Sequence, residues 1–457
     1  MAATILRIAS GVIILPLVLH LLPPEDVGLW SIFLSVGSMS YLLDFGFGQT
    51  FTRNIAYVFS GVKELKPSGY IPAEEGAGVD YGLLGALIGA MRKYYRMVAL
   101  GLFVFLATGG SWYLHSVLES YTGNVSAVFW AWGLYVLLMF YQLMTLYYDS
   151  LLLGRGMVRR MKQVVIVAQS SQIIVASAAL LMGLGLMSMV LGQVASLALN
   201  RTLAHAVFFD KGLRSSLNVP RRPVKEILSA ISPNATKVGI TSLGAFLVNR
   251  SAVFMGSLYL PLAEIGSFGI TRQMTDLLAG VALIWFSTFY PKMIAMRVSD
   301  DLAGVKRIYI KCKIFFVLLF VLGAAFLLLF GNPVLSLFDV KTLFLSTSLF
   351  SLLLLVSFLE NNHAMAGGVL LTRNEVPYFK AAIFAGVSTL VLLFVFFRWT
   401  DLGLWGMILA PGISQALYQN WKWPLKVKKE LGISLRDYPE ALRVLYRSRE
   451  EWLNFKE

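Results

Sequence analysis

The sequence predicts an all-α polytopic membrane protein, twelve transmembrane helices in two pseudo-symmetric six-helix halves. Three observations predict it. The first is composition: 57% of the 457 residues are hydrophobic, only 14% are charged, and the mean hydropathy is +0.70. That balance leaves too few polar groups to cover a soluble domain and matches chains that expose their apolar surface to lipid. The second is that Lys and Arg gather in alternate connections between apolar runs, which is how a bilayer sorts charge. The third is an internal echo. Residues 152–199 align without a gap on 370–417, so that Arg155, Val158 and Lys162 meet Arg373, Val376 and Lys380. In the same frame Leu184-Gly185-Leu186 meets Leu402-Gly403-Leu404, and Met189, Leu191, Ser196, Ala198 and Leu199 meet Met407, Leu409, Ser414, Ala416 and Leu417. Upstream, Leu22-Pro23 and Gly28 meet Leu260-Pro261 and Gly266. Matches at Arg, Lys, Pro and Gly are hard to obtain by chance from apolar helices and indicate duplication.

A crossing needs roughly 20 apolar residues. Twelve runs qualify: 4–22, 28–58, 97–118, 126–153, 161–183, 186–209, 227–257, 263–295, 309–330, 342–371, 377–398 and 403–423. The first has Arg7 near its start and no small-residue cleavage site after it, so it reads as a retained helix and not a signal peptide, short for a crossing. The second contains Gly46 and Gly48, which can loosen a helix. Several runs exceed the hydrocarbon thickness, which predicts tilt or extension beyond the bilayer. Two segments lie outside the runs. Lys63–Tyr81, with Pro67, Pro72, Gly76 and Gly78, reads as a loop without a counterpart in the second half. The chain beyond the last run is a basic tail in which Leu435, Tyr438, Leu442, Leu445 and Tyr446 suggest an amphipathic helix on anionic lipid. The expected division is 1–210 for the first half, 211–226 for a linker, 227–423 for the second half and 424–457 for the tail.

Orientation follows from the basic connections. One set carries Lys63, Lys66, Arg92, Lys93 and Arg96, then Arg155, Arg159, Arg160 and Lys162, then Lys211, Arg214, Arg221, Arg222 and Lys225. The set continues through Lys292, Arg297, Lys306, Arg307, Lys311 and Lys313 to Arg373 and Lys380. The alternate set is acidic or neutral, with Lys341 and Arg398 as exceptions. The basic side is expected to be cytoplasmic, with both termini there.

Charges inside the runs are costly, roughly 2.5–3.5 kcal/mol each at the bilayer centre, and so mark function or pairing. Arg53 is near enough to the end of its run to snorkel. Arg201 shares a helix face with His205, and Gln193, Ser196 and Asn200 extend that polar stripe. Asn234, Lys237 and Thr241 form a second stripe, with Asn249 and Arg250 further along the same run, where a bend at Gly239 or Gly244 would bring Arg250 toward Lys237. Arg272 and Asp276 are four apart and can neutralise each other. Asp149 lies close to the basic surface and reads as structural. Asp44 and Glu360 are placed to pair with a cation or to carry a coupling proton. The interior is therefore expected to be net cationic. Arg201, Lys237, Arg250, Arg272, Asn200 and Asn249 are the candidate ligands for an anion, and Asp44, Asp276 and Glu360 the candidates for ion coupling or salt bridges. Arg suits phosphate because its fork binds two oxygens.

Other chemistry is disfavoured. The histidines, His20, His115, His205 and His363, are scattered over separate runs, so no metal site and no cofactor is expected. Cys312 stands alone, and there is no G-x-x-x-x-G-K-[ST] loop. No loop is large enough for an active site, which argues against an enzyme.

The segment Pro16-Leu17-Val18-Leu19-His20-Leu21-Leu22-Pro23-Pro24-Glu25-Asp26-Val27-Gly28-Leu29-Trp30, with Tyr41-Leu42-Leu43-Asp44-Phe45-Gly46-Phe47-Gly48-Gln49, resembles the opening of the Wzx-type polysaccharide flippases. That family shows an apolar helix, a P-E-x-[FY]-G-L-W turn and an L-L-D-L-G-[FL]-G stretch; Val27 stands where an aromatic is usual. These flippases belong to the multidrug/oligosaccharidyl-lipid/polysaccharide (MOP) exporter superfamily. The resemblance implies a MATE-like fold of two six-helix bundles around a central cavity, in the bacterial inner membrane. It implies undecaprenyl-diphosphate-linked oligosaccharide as the cargo, moved by alternating access to the periplasmic leaflet for O-antigen, capsule or exopolysaccharide synthesis. A polysaccharide polymerase and a chain-length regulator are the partners it implies. An ion-coupled drug or metabolite antiporter, or a non-transporting scaffold of a polysaccharide assembly complex, are the rival readings; a lipid II flippase is chemically close, but that family resembles a fourteen-span plan where twelve runs are counted here. A lumen for lipophilic cations would be acidic or aromatic.

Overall fold

The computed structural model describes residues 14–65, 78–218, 223–298, 300–373 and 377–447. Every regular element among them is helical, and helices stand at all twelve expected positions. The chain divides into two compact units, one of residues 1–246, 253–267 and 338–343, the other of 247–252, 268–337 and 344–457. The first ten residues of the 4–22 run, the loop stretch 66–77, Arg221, Arg222 and Val376 lie outside the described residues. So do the side chains of Leu442, Leu445 and Tyr446.

Among the described residues, six helices are long and apolar enough to cross a membrane: Tyr81–Ser120, Val125–Gly154, Val158–Leu181, Leu302–Ser336, Thr347–Leu371 and Phe379–Trp399. The pair Leu262–Ala282 and Ile284–Ile294, bent by 45°, is long and apolar enough for a seventh crossing when taken as one span. Of the other expected crossings, 4–22 is described only from residue 14 on, and the remaining four are helical but interrupted or polar. Run 28–58 is three helices, Pro24–Gly37, Met39–Leu42 and Phe47–Phe59, and the break before the third falls where Phe45 and Gly46 take left-handed backbone at φ 47° and 70°. The last run divides into Leu404–Ala416 and Gln419–Glu430. Leu186–Phe208 is continuous but carries Gln193, Asn200, Arg201 and His205, which lower its hydropathy. Val224–Gly256 is likewise continuous, so neither Gly239 nor Gly244 breaks it.

Helix starts follow side-chain caps. Asp80, Asn124, Asp210 and Asp301 each accept a backbone N–H three residues on, at 2.8, 3.0, 2.8 and 2.7 Å. Each fills a donor that the first helical turn leaves unpaired.

The duplication is visible in backbone conformation. Gly185 and Gly403, which match in sequence, precede the helices Leu186–Phe208 and Leu404–Ala416 with φ/ψ of 56°/−138° and 50°/−124°. Only glycine enters that region without strain. Their matched arginines also do the same work. Arg155 binds the Phe208 carbonyl at 2.9 Å and Asp210 at 3.0 Å, and Arg373 pairs with Glu430 at 3.4 Å. Each thereby ties the start of a helical hairpin to the acid that follows its end.

The earlier echo is a contact as well as a match. In the first unit, a Cβ on Gly28 would lie 2.0 Å from the Leu262 carbonyl oxygen, and one on Gly266 would lie 2.8 Å from that of Pro24. Pro24 corresponds to Leu262 as Gly28 does to Gly266, so the two helix starts cross reciprocally, as across a local two-fold axis.

Lys341, one of the exceptions to the charge rule, caps a helix. Its backbone N–H donates to the Leu19 carbonyl at 2.8 Å and its Nζ to that of Leu21 at 3.2 Å. His20 Nδ1 lies 3.0 and 2.9 Å from the carbonyl oxygens of Phe338 and Asp339. Also in the first unit, Tyr113 donates to the Phe254 carbonyl at 3.1 Å and meets the Ser257 hydroxyl.

Candidate functional site

Four of the candidate residues meet in the second unit around Arg272. Its Nε donates to Asp276 at 2.9 Å, one turn along the same helix. Its Nη2 donates to Asn249 on Val224–Gly256 at 3.0 Å and to Glu360 on Thr347–Leu371 at 3.3 Å. The side chains of Arg272 and Glu360 are each 16% exposed. An ion pair this buried persists only when further hydrogen bonds satisfy it, which Asn249 and Asp276 do. Arg272 Nη1 takes part in none of these bonds.

Arg250 completes the group. It follows Asn249, so on a helix it points about 100° away. It remains within electrostatic reach of Asp276, Glu360 and Arg272, yet forms no hydrogen bond or ion pair with any described residue. Two cations face two carboxylates here, so the cluster is balanced where a net cationic interior was expected. The positive end of that balance is concentrated on the free fork of Arg250, because Arg272 takes up both carboxylates.

The remaining candidates lie elsewhere. Arg201, buried, pairs with Asp149 at 2.9 Å in the first unit, and Asn200 beside it is half-buried. Asp149, read as structural, is thus the anchor of Arg201. Asp44 meets no cation among the described residues. Both its oxygens accept the Gly48 N–H at 3.1 Å, and one accepts the Tyr95 hydroxyl. It caps the Phe47–Phe59 helix at the break, while Tyr94 donates to the Leu43 carbonyl at 3.2 Å. Gly239, read as a bend, instead gives room to the left-handed turn: a Cβ there would lie 2.2 Å from the Phe45 ring. The side chains of Asn234, Lys237 and Thr241 lie outside the described residues.

Sequence reasoning missed the hydroxyl partners. Tyr95 is buried against Asp44 although 51 residues separate them, and nothing in the spacing of either announces the pair. The doublets Tyr94-Tyr95 and Tyr147-Tyr148 were the available signal, since a Tyr buried in a membrane needs a hydroxyl partner.

No family model matches the chain, and no curated protein matches it either. Solved structures do. An inward-facing multidrug resistance MATE family transporter of the MOP superfamily aligns over 94% of both chains at 14% identity, TM-score 0.68. Lipid II flippase MurJ in an inward closed conformation aligns over 100% of this chain and 92% of its own at 12% identity, TM-score 0.60. A MOP superfamily transporter from Pyrococcus furiosus, described by a reverse polarity of its binding pocket, aligns over 94% and 92% at 14% identity, TM-score 0.52. The chain therefore has the MATE-like fold of the MOP superfamily, the fold expected from its opening motif.

Proposed function

We propose that this membrane protein is a flippase for polyprenyl-diphosphate-linked oligosaccharide, moving it from the cytoplasmic to the periplasmic leaflet by alternating access. The observation that carries this reading is Arg250, which pairs with no described residue while lying within electrostatic reach of the Arg272 cluster. Guanidinium forks bind two oxygens of a phosphate, and a diphosphate cannot cross hydrocarbon unaided. Arg272 is held in place by Asp276, Glu360 and Asn249, so its free edge is preorganised. Arg201, expected as a ligand, is here assigned a structural role by its pair with Asp149, while Lys237 remains a candidate ligand by its place in the sequence. The opening motif and the fold agree with a lipid-linked glycan as cargo. A polymerase and a chain-length regulator are the partners this reading implies.

One observation favours an ion-coupled antiporter instead: the Arg272 cluster contains two carboxylates, Asp276 and Glu360, for which a coupling proton or cation would compete with Arg272. Complementation of a deletion host separates the two. Loss of a charge-assisted hydrogen bond removes about 1.5–3 kcal/mol, so Arg250→Gln should weaken diphosphate binding roughly tenfold or more. Repeat units should then accumulate on the cytoplasmic leaflet and surface polymer should fall, at equal protein level. Undiminished polymer with altered drug tolerance would establish the antiporter.

A further inference from the structure

The first unit carries a second group of cations on the basic side, next to the Arg201–Asp149 pair: His205 is four residues from Arg201 and Tyr148 adjoins Asp149. Arg92 lies over two rings, its guanidinium carbon 5.8 Å from the centre of Tyr147 and 5.6 Å from that of Phe209. His205 packs on the same Phe209 at 4.9 Å between centres. Arg214 Nη2 sits 3.2 Å from His205 Nε2, and the Tyr148 hydroxyl sits 2.9 Å from His205 Nδ1. Arg is always a donor, so Nε2 accepts from Arg214, and the ring proton belongs to Nδ1, which donates to Tyr148. The imidazole is therefore neutral in this arrangement and serves to position Arg214.

The neighbouring carboxylates are already committed. Asp210 pairs with Arg155 and caps the Leu213 N–H, and Asp149 pairs with Arg201. Neither Arg92 nor Arg214 has a carboxylate partner among the described residues. A guanidinium held against aromatic rings without a carboxylate partner keeps N–H groups free, which suits it to a two-oxygen anion. Aromatic neighbours and two unneutralised forks near one imidazole are more than the charge that orients a loop.

We propose that Arg92 and Arg214, positioned by Phe209, Tyr147 and His205, form an oxyanion site that takes a phosphate or diphosphate group on the basic side of the first unit. Its identification as a landing site for a lipid-linked diphosphate rests on the flippase reading; the oxyanion site itself does not. A loop that only sorts charge would accept lysine in place of either arginine, whereas a fork-specific site would not.

The test is titration of the full-length protein in zwitterionic nanodiscs with inorganic pyrophosphate, in wild type and in an Arg250→Gln background that disables the second-unit cluster. Saturable binding is expected in both, weakened about tenfold by R92K and by R214K, a loss of about 1.4 kcal/mol. Arg214 is exposed, so its exchange leaves folding intact, and unchanged thermal midpoints verify this for both variants. Vesicles doped with polyprenyl diphosphate distinguish the source: binding of doped vesicles with the same variant pattern assigns a lipid headgroup, and binding of free pyrophosphate alone assigns a soluble phosphate compound. Absence of pyrophosphate binding in the Arg250→Gln background, or lysine variants that bind as wild type does, would overturn the site. Intact polymer export in Arg250→Gln with Arg92- and Arg214-dependent pyrophosphate binding would refute the flippase assignment of Arg250 while leaving this site standing.

Discussion

Arg272 and Arg250 carry the same charge and have different expected consequences. Arg272 holds two carboxylates, so its loss leaves them uncompensated in a largely buried place. Arg272→Ala should cost about 3–5 kcal/mol of stability, read as a fall in the detergent-solubilised melting midpoint. Arg250→Gln should leave that midpoint within experimental scatter, since no described group depends on its side chain. Equal destabilisation by the two would show that Arg250 has a partner of its own. Asp44 makes a third case. Asp44→Ala strips the acceptor from both the Gly48 amide and the Tyr95 hydroxyl and should cost roughly 1–3 kcal/mol. Tyr95→Phe should cost less, because it leaves the cap intact. The charged residues were legible in the sequence because charge inside an apolar run is conspicuous. Their partners were not: Arg201 with Asp149 and Asp44 with Tyr95 join separate helices, and no spacing rule connects residues 51 or 52 apart.

Among the elements, the long apolar helices were legible by length and composition alone, and the breaks were not. Glycines at 46 and 48 suggested loosening, but the left-handed pair falls on Phe45 and Gly46, because Asp44 folds back on Gly48. The tight turns of the repeat are a sharper test. Gly185→Ala and Gly403→Ala each place a methyl group where backbone of that sign and rotation admits none, at about 1–3 kcal/mol apiece. The two variants should lower the melting midpoint by similar amounts, since the two turns share their dihedrals. A loss at one site only would mean that the resemblance between the turns is conformational and not energetic.

For the whole molecule, the composition and the alternation of basic loops were enough to read a polytopic helical membrane protein, because the bilayer imposes both. Which groups meet across that chain depends on packing, which composition does not encode. The tail is one instance. It was read as a helix for anionic lipid, and the structure brings its start onto the second unit: Lys306 Nζ pairs with Asp437 at 2.9 Å and donates to the Gly432 carbonyl at 2.9 Å. The hydrogen bond from Lys306, then the Ser434 amide, hold the Asp437 carboxyl below its ordinary range. A depressed folded value means that this contribution is complete above about pH 4 and is lost as the pH falls through the depressed value. Proteolysis of the tail should therefore be equally slow at neutral and mildly acidic pH and should accelerate only in stronger acid. Asp437→Asn should release it at neutral pH; a tail cut at the same rate in both proteins would show that the pair does not retain it.

The caps supplied by residue 341 bear on how the chain is made. The carbonyls of Leu19 and Leu21 end one of the first helices to emerge during synthesis, and they receive their donors from a lysine more than 300 residues later. Until then they depend on water or headgroups at the membrane surface. A ribosome-bound chain stopped before that lysine should expose this helix end to labelling, and completion of translation should protect it. Two separately expressed fragments divided between the halves should each be labile and should rescue one another when produced together.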